Sequence, residues 1–201
     1  MSLPPPIPVL SLIPDLSTTM LDRYLWGKVL PYRCQTLSPN HSLSILAQSI
    51  QSKIKNIPSH YCPVRTWVSY NPEAQAYVDA YEPPDTAKLT LTWGLLNTPN
   101  LTVPNLQVII ASQLAKLTLP LEERFTRHAI LHGDATAATL FGRLQTIQTL
   151  NTLCLLAAPK VLSPTTSTLG RYSTPTLADR IEHLSTNNVL AFKPRAQGKS
   201  R

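Results

Sequence analysis

The chain has 201 residues, a formal net charge of +7 and three cysteines. That length accommodates one well-buried domain with tails and leaves no room for two large ones. Cys34, Cys62 and Cys154 are an odd number without C-x-x-C spacing, which argues against a disulfide framework and a structural zinc site and fits a reducing compartment. Its apolar runs are broken well short of the ~20 residues that cross a bilayer. The proline-rich start lacks the basic lead and unbroken apolar run of a signal peptide, so a soluble intracellular protein is expected.

Residues 1–16, MSLPPPIPVLSLIPDL, predict an extended arm. Each proline removes a backbone donor and disfavours helical geometry in the residue before it. Ser17 is placed to cap a short helix with Met20, Leu21, Tyr24 and Leu25 on one face. In 42–55 the residues Leu43, Leu46, Ile50 and Ile54 fit a helical stripe, while Ser-Leu-Ser-Ile also alternates as a strand does, so both readings stay open. The stretches 67–70, 75–81 and 88–93 alternate over β-branched, aromatic and small residues. Asn71-Pro72 and Glu82-Pro83-Pro84-Asp85 separate them with turn chemistry, which predicts an antiparallel meander.

After Pro99, Asn105 is expected to cap a short helix with Leu106, Ile109, Ile110, Leu114 and Leu117 facing inward. Pro120 restarts a helical turn at its first position, with Glu122 and Glu123 where the helix dipole favours them. The stretch 140–158 has a helical stripe, yet its threonines also suit a pair of strands. Pro159, Pro164 and Pro175 divide the remainder into short pieces, as in a β-rich fold with many corners.

Composition carries a further signal. The chain holds 32 leucines, 22 threonines and 19 prolines against 6 glycines and 11 acidic residues, an imbalance that ordinary globular composition does not produce. Residue types whose codons begin with G number 42, about a fifth of the chain, and a gene poor in G and rich in C accounts for both trends. Bias of that kind is more often viral than bacterial.

The order of the strand signals resembles the coat proteins of tymoviruses and their relatives, whose RNA is rich in cytosine. Trp67, Val68, Ser69, Asn71 and Pro72 match a Trp-Val strand closed by proline in that family. Leu91, Trp93, Asn97, Thr98 and Pro99 match a second strand and its turn, and Thr102, Pro104 and Gln107 approximate a third element. Upstream, 42–45 resembles a Ser-Leu-Thr-Ile strand; downstream, Pro120, Leu121, Glu122, Arg127, Ile130 and Asp134 follow the order of a family segment. The likeness spans 31–162. It implies an all-β fold with short helices, an eight-stranded jelly-roll β-sandwich. Its organisation would be a proline-rich arm at 1–30, a shell domain at 31–191 and a basic tail at 192–201.

The function so implied is that of a viral capsid protein, not an enzyme, which self-assembles in many copies into an icosahedral shell and encapsidates single-stranded genomic RNA. It would reside in the virion, and in the host cytoplasm during assembly, with no membrane partner, no cofactor and no metal. Lys193, Arg195, Lys199 and Arg201 crowd the last nine residues without an acidic neighbour. These are the expected RNA-binding residues, with Lys28 and Arg33 available to help, because a basic surface gains affinity for phosphate polymers through counterion release.

An enzymatic alternative lies in Arg-His-Ala-Ile-Leu-His-Gly at 127–133. It resembles the R-x4-H signature of HEPN ribonucleases, in which Arg127 would hold the scissile phosphate and His132 would act as general acid or base without metal. His128 and His132 are spaced to share a helical face near Asp134, but Ala129 stands where a zinc hydrolase carries its glutamate. His60 and Cys62 have no evident carboxylate to orient them as a nucleophile pair, and glycine-rich phosphate loops are absent from the sequence.

Overall fold

A computed structural model of the protein describes residues 34–79, 87–156 and 175–186. The proposed arm, the helix expected after Ser17 and the basic tail lie outside them. In chain order the described elements are β1 (Cys34–Thr36), α1 (Ser42–Gln51), β2 (Arg65–Ser69), β3 (Ala76–Asp79), β4 (Lys88–Thr92), α2 (Trp93–Leu96) and α3 (Val103–Leu114). Then come α4 (Arg127–Phe141), α5 (Arg143–Leu156) and α6 (Leu177–Thr186). Short 3-10 turns occupy Ser59–Tyr61, Ala115–Thr118 and Leu121–Glu123.

The described residues are about 58% helical and 14% strand, with a single mixed sheet of four strands. This overturns the expected jelly roll. The reason is legible residue by residue in α5, whose threonines looked like strand formers. Thr146, Thr149 and Thr152 each return their hydroxyl to the carbonyl four residues back, at 3.0, 2.8 and 3.0 Å. This satisfies the polar group inside a helix and lets Thr146 and Thr149 be buried. Leu150 then packs with Ala138 and Leu184. Local propensity is a weak prior, and burial of a helical stripe decides against it.

The three predicted strands exist, but they do not form a meander. Strand order is β1-β2-β4-β3. β4 inserts between β2, to which it runs parallel with Trp67 opposite Thr90, and β3, to which it is antiparallel with Tyr77 opposite Thr90. β4 is the strand best able to occupy the centre, since Leu89, Thr90, Leu91 and Thr92 are all buried. β3, hemmed by prolines at 72, 83 and 84, takes the edge, where proline is tolerated.

Alternation gives the sheet two faces. Val68, Val78, Leu89 and Leu91 join the main core with Leu43 and Ile50 of α1 and Leu106 and Ile110 of α3. The opposite, outer face carries Arg65, Trp67, Ser69, Tyr77, Lys88 and Thr90, as the pairing register requires. Truncating any fully buried leucine of this core to alanine costs ~2–5 kcal/mol.

Caps fix the helix starts. Thr102, not Asn105, caps α3: its hydroxyl accepts from Asn105 N at 3.3 Å, and the two side chains contact one another. His41 Nδ1 accepts from Leu43 N at 3.2 Å to start α1. Of the two readings of 42–55, the structure takes the helical one. Pro120 flanks the Leu121–Glu123 turn rather than beginning it. Gly142, at φ 91, separates α4 from α5 with a backbone angle that L side chains resist. Where α3 crosses α4, a Cβ on Gly133 would stand 2.3 Å from the Ser112 carbonyl oxygen, so glycine sets how closely these helices approach.

Candidate functional site

The densest set of ionisable side chains lies around α4, between the end of α3 and α6. Thr126 caps α4 by accepting from Ala129 N at 3.3 Å. The helix then distributes its polar residues over two flanks.

On one flank, Asp134 is buried and held bidentately by Arg180 of α6, with Nε to Oδ2 at 2.7 Å and an Nη donor to Oδ1 at 2.8 Å. Ser112 Oγ of α3 donates to Asp134 Oδ1 at 3.5 Å. Such a pair compensates its desolvation through geometry and extra hydrogen bonds. Lys116 is held nearby by Gln113 Oε1 at 2.7 Å. Burial first, and then the Arg180 charge, push its ammonium pKa down to about 8, with Asp134 opposing the shift. Arg127 reaches the same helix α6, 3.4 Å from Asp179. Asp179 belongs to a reciprocal cap, accepting from Thr176 N at 2.9 Å while its own N–H donates to Thr176 Oγ1 at 3.1 Å. The Thr176 hydrogen bonds, more than Arg127, hold its carboxyl below the usual range.

On the other flank, His132 Nε2 is 2.9 Å from Thr118 Oγ1. Its ring stacks with His128 at 6.2 Å between centroids. Burial, then the neighbouring His128, lower the His132 pKa, against a hydrogen bond involving the Ala115 backbone that raises it. The R-x4-H residues therefore diverge. Five residues along a helix turn the side chain through ~500°, leaving the two ~140° apart, so Arg127 turns to α6 and His132 to the Ala115–Thr118 turn. The expected sharing of a helical face by His128 and His132 is observed. Among the described residues no three His, Cys, Asp or Glu side chains are grouped to hold a metal.

Between these helices runs a connector of which sequence reasoning singled out Pro120, Leu121, Glu122 and Glu123 but neither Arg124 nor Phe125. Arg124 is buried, donating to the Leu119 carbonyl at 2.9 Å and to the Tyr61 hydroxyl at 3.2 Å, with its guanidinium 4.8 Å from the Tyr61 ring centre. Pinned there, it turns its neighbours outward: Phe125 is 69% exposed and Leu121 43%, beside exposed Glu122 and Glu123. An apolar side chain directly after a basic one was the available signal, but one position cannot reveal that its neighbour is anchored 63 residues away.

His60 packs edge-on against Tyr61, and Cys62 Sγ accepts from Gln51 Nε2 at 2.9 Å. Lys193, Arg195, Lys199 and Arg201, like Lys28 and Arg33, lie outside the described residues. With nine basic and seven acidic side chains among the described residues, most of the net charge lies outside them too. No helix among the described residues is long and apolar enough to cross a membrane. Comparison with protein-family models, with curated proteins and with solved structures finds no match to this chain.

Proposed function

We propose that this chain is a non-enzymatic viral structural protein that assembles with copies of itself into a coat around single-stranded RNA. The observation that carries the reading is Phe125, turned outward next to the anchored Arg124. A large exposed aromatic has only two side-chain torsions to lose on being covered, which is the property of side chains that dominate protein interfaces.

Its surroundings favour a second copy as the covering partner. Glu122 and Glu123 make an acidic rim on a chain whose net charge is +7, so this knob is complementary to the rest of the molecule and repels itself. A contact of that kind is head-to-tail, and repeated head-to-tail contacts build rings, shells or filaments rather than isolated dimers. The four basic residues near the C-terminus supply sequence-independent attraction to phosphate. Against the ribonuclease alternative stands the divergence of Arg127 and His132, which leaves no common point for a phosphate between them within one chain.

The test is electron microscopy of the purified protein with and without RNA, combined with nuclease protection. Regular particles that shield RNA are expected, and Phe125→Ser should lose them while keeping its helical circular dichroism. Persistent monomers across salt and pH, or RNA cleavage abolished by Arg127→Ala, would sink the coat reading.

A further inference from the structure

The knob at Leu121 and Phe125 has a counterpart at the other end of α4. Phe125 stands two residues before the helix begins and Arg143 two residues after it ends, so its 15 residues hold the two places ~22 Å apart. Among the described residues the two most exposed large apolar side chains are Leu144, at 70%, and Phe125, at 69%. Neither stands alone, as scattered surface apolar residues do. Leu121 lies four residues before Phe125, and the half-buried Phe141 three residues before Leu144.

The surroundings of Leu144 are basic. Arg143 is exposed and gives one Nη donor to the Ser185 carbonyl, which leaves the rest of its fork for a carboxylate. Lys53, exposed just past α1, holds its ammonium 5.9 Å from the Phe141 ring centre, and Lys55 follows two residues on. Glu182, three residues before Ser185 on α6, offsets part of this charge. At the knob the signs reverse. Glu122 and Glu123 are exposed, while Arg124 is buried and Arg127 is held by Asp179.

We infer that the surface formed by Phe141, Leu144, Arg143 and Lys53 receives the Leu121–Phe125 knob of a second copy of this chain; the inference rests on the assembly reading above and names the face that reading leaves open. Apolar side chains then meet at the centre, and the carboxylates of Glu122 and Glu123 meet Arg143 and Lys53 at the rim, the layout of specific protein interfaces. A second copy is favoured over an unrelated partner because both halves, opposite in charge, belong to the same chain. Two knobs would meet carboxylate to carboxylate and two receiving faces cation to cation, so like charges oppose the wrong pairings. Since the surfaces lie at opposite ends of α4, one copy gives its knob to one neighbour and takes the knob of another, and the contact repeats.

The experiment is sedimentation velocity of the full-length protein without RNA at high protein concentration. Phe125→Ser removes the knob and keeps the receiving face; Leu144→Ser does the reverse. Each variant alone is expected to sediment as a monomer and an equimolar mixture as a one-to-one dimer that grows no further, while the parent forms larger species. Circular dichroism confirms that the variants fold. A chain with Glu122→Lys and Glu123→Lys should self-associate about tenfold more weakly or worse. Mixing it with a chain carrying Lys53→Glu and Arg143→Glu should restore growth, a rescue that a folding defect cannot give. A monomeric parent, a serine-variant mixture that stays monomeric, or a Leu144→Ser chain that assembles like the parent overturns the receiving face; in the last case the particles still support the coat reading. A parent that stops at a dimer, with the same mixing pattern, keeps the contact and removes the coat reading, because both contacts have closed within one pair.

Discussion

Two polar regions of this molecule contrast. Around α4, Asp134, Arg180, Ser112, Lys116 and Gln113 satisfy one another, and little of the cluster is offered to solvent. On the outer face of the sheet, aromatic and hydroxyl groups lie side by side and an indole donor is left over. Buried polar groups that close on themselves fix a structure, whereas one left incomplete costs stability.

Breaking the closed cluster should have the largest effect. Asp134→Ala strands Arg180 beside Lys116 and should cost ~3–5 kcal/mol, a fall in Tm of about 10 °C or more by calorimetry. A Tm within 2 °C of the parent would mean that the cluster is not what holds α6. Gly133→Ala comes next. Its new methyl group meets the Ser112 carbonyl, and separating α3 from α4 should cost ~1–3 kcal/mol in denaturant unfolding. On the open face the sign changes: Trp67→Phe removes an unsatisfied donor and should leave stability within ~1 kcal/mol of the parent, or raise it.

The smallest effect is a pH profile that sharpens the contrast. His132 has its pKa lowered in the fold, so below the ordinary value of ~6.5 the unfolded chain binds more protons and stability falls with pH. His132→Gln should flatten that decline. Lys116, lowered to about 8, should add stability as pH rises from 8 toward its ordinary 10.5, a gain that Lys116→Met abolishes.

The sequence made part of this visible. Alternation in 67–93 located three strands because period two survives any topology. It could not show that β4 would enter between β2 and β3, since partner choice depends on which strand is buried on both faces. The helical stripes of α1 and α5 were as strong as their strand readings; for α5 the deciding factor, back-bonding threonines beside a face packed against α6, involves residues ~30 positions away. The R-x4-H spacing was legible, whereas the opposed partners of Arg127 and His132 were not, because one lies before the motif and the other some 50 residues after it. The composition pointed to a basic partner-binding chain without saying which surface would do the binding.

The insertion of β4 also sets a timetable. As the chain leaves the ribosome, β2 emerges before β3 with only the three-residue β1 to pair with. β3 and β4 are neighbours in sequence and pair antiparallel, which closes quickly, whereas the parallel β2–β4 pairing must wait for both. The hairpin is thus the seed and β2 the late arrival, so pulse-labelled hydrogen exchange should protect Val78 and Leu89 amides before that of Val68. Until β2 docks, β4 has a single neighbour in the sheet, and the outer face gains Trp67 and Ser69 only after the hairpin is in place.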